Sequence, residues 1–140
     1  MTTGAVPVLT DAIKPAMQGV MPALIFTCAL DGTPNAAVIS QVYWTDPAHV
    51  ALSFQFFNKT IRNIRENPRA QVVVTDPGNG TIWVLDLLYE RSETTGRLFE
   101  DMEMQLEAIA SAQGMSGVFH LKAADIYGVL AVQRLGPPAP

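Results

Sequence analysis

The chain has 140 residues, 49% of them hydrophobic, and a net charge of -4. That length suits one domain whose core needs no disulfide or metal staple, and that composition excludes a disordered chain. The acidic balance argues against a general nucleic-acid binder, and one cysteine with two histidines gives neither an internal disulfide nor a typical structural zinc site.

The first residues, MTTGAVPVLTDAIKPAM, lack a basic start followed by an apolar run, so no signal peptide is expected. No apolar stretch approaches the ~20 residues that span a bilayer, so the chain reads as cytoplasmic with no membrane role. Residues 1–140 read as a single domain, with 1–9 and 136–140 as flexible ends. Thr10 and Asp11 are placed to cap a short helix that ends near Gly19, limited by Pro15. Ala23 to Leu30, ALIFTCAL, is a continuous apolar run that reads as a buried strand, with Cys28 inert inside it. Asp31-Gly32 between two apolar runs marks a hairpin. Asn35 to Trp44 alternates as one strand, with Ala36, Val38, Ser40 and Val42 on one face and Ala37, Ile39, Gln41 and Tyr43 on the other. After a turn at Asp46-Pro47, His49 to Phe57 forms the next strand.

Asn58 can cap a helix that begins at Lys59 and stops at Pro68. Ile61, Ile64 and Arg65 lie toward one side of it, and Lys59, Arg62, Asn63 and Glu66 toward another. Gln71 to Thr75 is a strand closed by the loop Asp76-Pro77-Gly78-Asn79-Gly80. Thr81 to Arg91 is a longer strand whose face Trp83, Leu85, Leu87, Tyr89 is expected to be buried. The longest helix runs from Thr95 or Gly96 to Gln113, with Leu98, Met102, Leu106, Ile109 and Ala110 as its apolar stripe and Gly114 as its stop. Ala124 to Arg134 is the last strand. Six short strands with a few helices fit a small closed barrel better than a parallel sheet.

The segment from Ser53 to Ala70, SFQFFNKTIRNIRENPRA, stands out electrically. It holds Lys59, Arg62, Arg65 and Arg69 against one acid, Glu66, which makes it 4 - 1 = +3 inside an acidic protein. A strand, a polar turn and a cationic helix start form a place to hold an anion, because exposed amides and the helix dipole both favour negative charge there.

The order and spacing of these pieces resemble the pyridoxamine 5'-phosphate oxidase-like family, the FMN-binding split β-barrels. The resemblance runs from about Val20 to Leu135 and rests on DGTPNAAVISQVYW (Asp31 to Trp44), HVALSFQFFNKTIRNIRENPRAQVVV (His49 to Val74), and Asn67-Pro68-Arg69 following Lys59. It implies a mainly β fold with flanking helices, a six-stranded antiparallel split β-barrel. It implies a homodimer with FMN in the clefts between subunits and a small organic substrate, hence an FMN-dependent oxidoreductase. On this pattern Ser40, Gln41 and Val42 line the flavin ring, Leu52, Ser53 and Phe54 lie near the ribityl chain and ring, and Asn58, Lys59 and Thr60 hold the phosphate, with Arg62 reaching round. The chain departs from the family in placing Phe57-Asn58 where many members have an Arg or Ser beside the phosphate lysine. It is also shorter than the true oxidases and lacks their Arg-x-His substrate element, so the cofactor is better supported than vitamin B6 chemistry.

Ordinary readings stand beside these. Lys59 and Arg62 can be solvated residues on a surface helix, and Gln41 can point to solvent. Trp44 and Trp83 can stack on a flavin or belong to the core. Asp86 can transfer protons or form a salt bridge, across a dimer or to Arg91. The alternatives for function are a non-catalytic flavin-binding sensor, a member of the same fold that binds haem (with His49 or His120 as axial ligand) or a deazaflavin, and a cofactor-free dimeric protein.

Overall fold

The computed structural model describes residues 9–54, 58–117 and 120–136, with the side chains of Phe54 and Asn58 outside that description. A 3-10 helix, Asp11–Met17, comes first. Then follow β1 (Ala23–Cys28), β2 (Pro34–Ile39), β3 (Val42–Asp46), β4 (His49–Phe54), α1 (Asn58–Glu66), β5 (Arg69–Thr75), β6 (Ile82–Glu93), α2 (Arg97–Ala112) and β7 (Ala123–Leu135).

The described strands form one antiparallel sheet in the order β2-β1-β5-β6-β7-β4-β3. The two outermost strands, β2 and β3, are joined by Ser40 and Gln41 alone. Three peptide steps from Ile39 to Val42 reach at most about 11 Å. The sheet must therefore curl until its edges nearly meet, which makes a barrel with a seam at Ser40-Gln41.

This seam accounts for a difference from the sequence reading, which took Asn35 to Trp44 as one strand and counted six. Seven strands are present among the described residues because that run divides at the seam. Its first half pairs with β1, Ala36 opposite Phe26, and its second half pairs with β4, Val42 opposite Leu52. Ile39, Gln41 and Val42 are all buried, so the alternation of faces breaks there.

β6 and β7 are the longest strands and pair along their length, from Ile82↔Leu135 to Glu93↔Ala124. Register shifts between Asp86 and Leu87 and between Tyr89 and Arg91 bend this pair. Inside the curl, Val50, Val72, Leu85 and Leu87 are fully buried, and Ile13 and Met17 of the 3-10 helix close one end. The face of β6 expected inward is the inward face, with Leu85 and Leu87 completely enclosed.

α2 covers part of the outside. Met102 and Leu106 pack with Ala51, Ala124 and Ile126 in a second cluster. Its end follows the sequence signal: Gly114 takes φ +70°, and the Met115 N–H reaches back to the Ala110 carbonyl at 2.7 Å. Two local expectations turned out differently. Thr10 makes no side-chain cap bond to its helix. Cys28 is half-buried rather than enclosed, because β1 ends there and its thiol reaches the Gly32 carbonyl of the hairpin at 3.4 Å.

Candidate functional site

α1 begins four residues beyond the end of β4. It packs against β1 and β2, and side-chain amides fix it there. Asn35 on β2 donates to the Thr60 hydroxyl at 3.1 Å, and Asn63 donates to the Thr27 hydroxyl of β1 at 3.1 Å. Just past the helix, Asn67 donates to the Cys28 carbonyl at 3.3 Å. Sequence reasoning assigned no role to Asn35 or Thr27, and it set Asn63 on the polar side of the helix with Lys59 and Arg62, whereas the structure buries Asn63 against β1. The signal was available in Thr27, a polar residue within an apolar strand whose burial requires a partner.

These bonds leave Lys59 and Arg62 exposed and one turn apart. No acidic residue lies in the first turn of α1. The first amides of the helix, its positive dipole end and two cations therefore share one place. Thr60 is buried with its hydroxyl engaged by Asn35, so the N–H of its main chain is what it offers to this end. The turn itself is only partly visible: Phe57 and the Asn58 side chain lie outside the described residues, as does the side chain of Phe54.

The second part of the expected site is the seam. Val42 and Leu52 are cross-strand neighbours, and both are buried in the core. Their side chains serve the core, which leaves main-chain groups for a ligand. β3 pairs with β4 along one edge and has its other edge free of strand partners among the described residues. Ser53 is fully buried opposite Ala124, and Ser40 is half-buried at the bend. Gln41 is buried and faces neither solvent nor an open groove. Its amide nitrogen donates to the Met102 carbonyl at 3.0 Å and to Gln105 Oε1 at 2.8 Å, pinning the seam to α2. Its own side-chain carbonyl oxygen is buried with no hydrogen-bond partner among the described residues.

The two parts belong to one loop of links. β2 leads through Ser40-Gln41 into β3, β3 pairs with β4, β4 leads to α1, and Thr60 of α1 bonds back to Asn35 on β2. Asn35 and Ser40 are five residues apart, about 17 Å along a strand at roughly 3.3 Å per residue. The region thus has a polar main-chain edge at one end and a cationic helix start at the other.

The remaining candidates have local partners. Lys14 lies over the ring of Trp44, 4.4 Å from its centroid, and Arg134 lies 6.0 Å from that of Trp83. Asp86 accepts from Gln71 on β5 at 2.9 Å, while Arg91 pairs with Glu90 and Glu93. His49 is held at both ring nitrogens, by Asp46 at 2.9 Å and Glu90 at 3.1 Å. The Asp46 hydrogen bond, against the effect of burial and with the charges of both acids, raises the His49 pKa. His120 is exposed, close enough to Glu107 to act on its charge. Among the described residues no group of three His, Cys, Asp or Glu side chains could hold a metal ion, and no helix is long and apolar enough to cross a membrane.

No family model matches the chain, and no curated protein matches it in sequence. Solved structures do match. An FMN-binding protein from Syntrophomonas wolfei subsp. wolfei superposes with a TM-score of 0.72 at 15% identity, covering 92% of this chain and 89% of that one. HupZ from Group A Streptococcus gives 0.67 at 21% identity, covering 91% and 94%. HutZ, the haem storage protein from Vibrio cholerae, gives 0.56 at 14% identity, covering 88% and 89%. With its curled antiparallel sheet, its seam and its flanking helices, this chain has the split-barrel fold of the pyridoxamine 5'-phosphate oxidase-like and FMN-binding proteins.

Proposed function

We propose that this protein binds FMN and acts as an oxidoreductase on a small organic substrate. The observation that carries the reading is a cationic helix start tied through Asn35 to β2, whose chain leads, about 17 Å further along, to the free edge that begins at Ser40. That spacing suits an elongated ligand with an anion at one end and a flat polar-edged ring at the other. The residues present fit such a group. Lys59 would hold the phosphate as a point charge, with the first N–H groups of α1 and the Arg62 guanidinium beside it. Main-chain groups of Ser40 to Val42 would meet the ring edge, and the Gln41 anchor to α2 would keep that edge in place. Asn35 and Asn63 would fix the helix start relative to the strands. A bound flavin supplies hydride or electron transfer, so no side chain of the chain is required as acid or base. The likeness in fold to an FMN-binding protein over 92% of the chain supports this reading. A homodimer with cofactor in its clefts and a cytoplasmic location are part of it.

The test is the visible spectrum of the purified protein and its titration with FMN. A flavin spectrum is expected, and Lys59→Ala should weaken FMN about tenfold, the factor that about 1.4 kcal/mol of a charge-assisted contact represents. A colourless protein whose melting temperature ignores FMN overturns the reading, and so does unchanged affinity in Lys59→Ala. Turnover with reduced nicotinamide and an acceptor separates an enzyme from a flavin-binding sensor.

A haem reading has one observation in its favour, the fold shared with a haem storage protein. His49 is a poor axial ligand here because both of its nitrogens are occupied. His120 would be the residue to replace if a Soret band were found.

A further inference from the structure

Beside α1, on the face away from Lys59, lies a cavity of about 270 Å³. Ile61 and Ile64 of α1 and Ala123 of β7 give it apolar walls. Arg65 and Lys122, both exposed, stand at its rim. Its polar residues are connected, from the exposed Ser92 to the buried Asp125. The Tyr89 hydroxyl and Ser92 Oγ are 2.6 Å apart, and Ser92 Oγ donates to Asp125 Oδ1 at 2.6 Å. Ser92 has one proton and gives it to Asp125, so Tyr89 is the donor to Ser92.

Asp125 is only 4% exposed and sits between Ala124 and Ile126, both buried. A carboxylate in that setting carries a large desolvation cost. Burial does raise its pKa, against the Ser92 hydrogen bond and the charge of Arg65. A second apolar residue in β7 would pack there without that cost. The acid instead lines a cavity that two cations, Arg65 and Lys122, also line, so the cavity carries both signs of charge.

We propose that this cavity is a ligand site for a compact organic anion that carries a hydrogen-bond donor at its far end. The anionic group lies between Arg65 and Lys122, the apolar body against Ile61 and Ile64, and the donor on Asp125. The volume sets the size. At about 30 Å³ per water the cavity equals roughly nine waters, and it falls just under the usual range of about 300–1,000 Å³ for small-molecule sites. A single ring with two substituents fits; a nucleotide does not. The site is distinct from the FMN reading and does not depend on it.

Three probes separate the contributions: 4-hydroxybenzoate has both ends, benzoate lacks the donor, and phenol lacks the anion. Calorimetric titration of the full chain should give 4-hydroxybenzoate a Kd about tenfold below either of the others. Amide NMR shifts should centre on Ser92, Ala123 and Asp125. Arg65→Ala, at an exposed position, should weaken 4-hydroxybenzoate about tenfold and leave phenol unchanged. Asp125→Asn replaces an acceptor oxygen by a donor and should close the gap between 4-hydroxybenzoate and benzoate. The proposal fails if no probe saturates at tens of millimolar, if the three bind equally, if the shifts centre elsewhere, or if a folded Arg65→Ala protein binds 4-hydroxybenzoate as before.

Discussion

Replacing Asn63 by alanine tests how α1 is held against the barrel. Asn63 and Thr27 are 4% and 5% exposed, and the amide of one donates to the hydroxyl of the other at 3.1 Å. The substitution removes a hydrogen bond worth about 1 kcal/mol net and leaves the Thr27 hydroxyl buried without that donor, a further cost of about 1 kcal/mol or more. A loss of about 2 kcal/mol is therefore expected in urea unfolding at 25 °C. The unfolding entropy of a chain this long is about 0.3 kcal/mol/K, from roughly 2.1 cal/mol/K per residue. The same loss should lower Tm by about 7 °C. Thr27→Val should cost a comparable amount, because it orphans the Asn63 amide. The double variant removes both polar groups together, so it should cost less than the sum by about 1 kcal/mol. Additive costs, or a loss in Asn63→Ala below about 0.5 kcal/mol, would refute the claim that this pair anchors the helix.

Two further outcomes follow from named contacts. The raised pKa of His49 means that the fold favours its protonated form, so its contribution is complete below the ordinary value of about 6.5 and is lost as pH rises through the raised folded value. Thermal melts should therefore show the wild type falling toward His49→Gln between pH 6 and 8, by a modest amount because the ring is partly exposed; parallel curves would sink the idea. Gly19 has φ +79°, and a Cβ there would stand 2.4 Å from Ile109 Cδ1 on α2. Gly19→Ala should cost about 1–3 kcal/mol, read as a lower Tm, and an unchanged or higher Tm would show that the backbone strain is absent.

The positions of the strands and helices were largely legible in the chain, since each rests on local chemistry. Alternation marked β6 and β7, Asp31-Gly32 marked the β1–β2 hairpin, and the apolar stripe ending at Gly114 marked α2. The excess of cations around Lys59 was visible for the same reason: charge can be counted along a sequence. Other features depended on which segments meet. Nothing local to Ser40-Gln41 tells that Ala36 will face β1 while Val42 faces β4, at opposite ends of the sheet order. The run therefore read as one strand, and the seam was missed. Gln41 offered the same ambiguity. Its polarity was plain, but α2, more than 60 residues later, provides its partners. Asp125 likewise looked like any acid in a strand until Tyr89 and Ser92 of the neighbouring β6 were brought against it. Periodicity and charge are properties of neighbours in sequence and were settled there. Pairing, burial and the partners of buried polar groups are properties of neighbours in space, and only the closing of the barrel chose them.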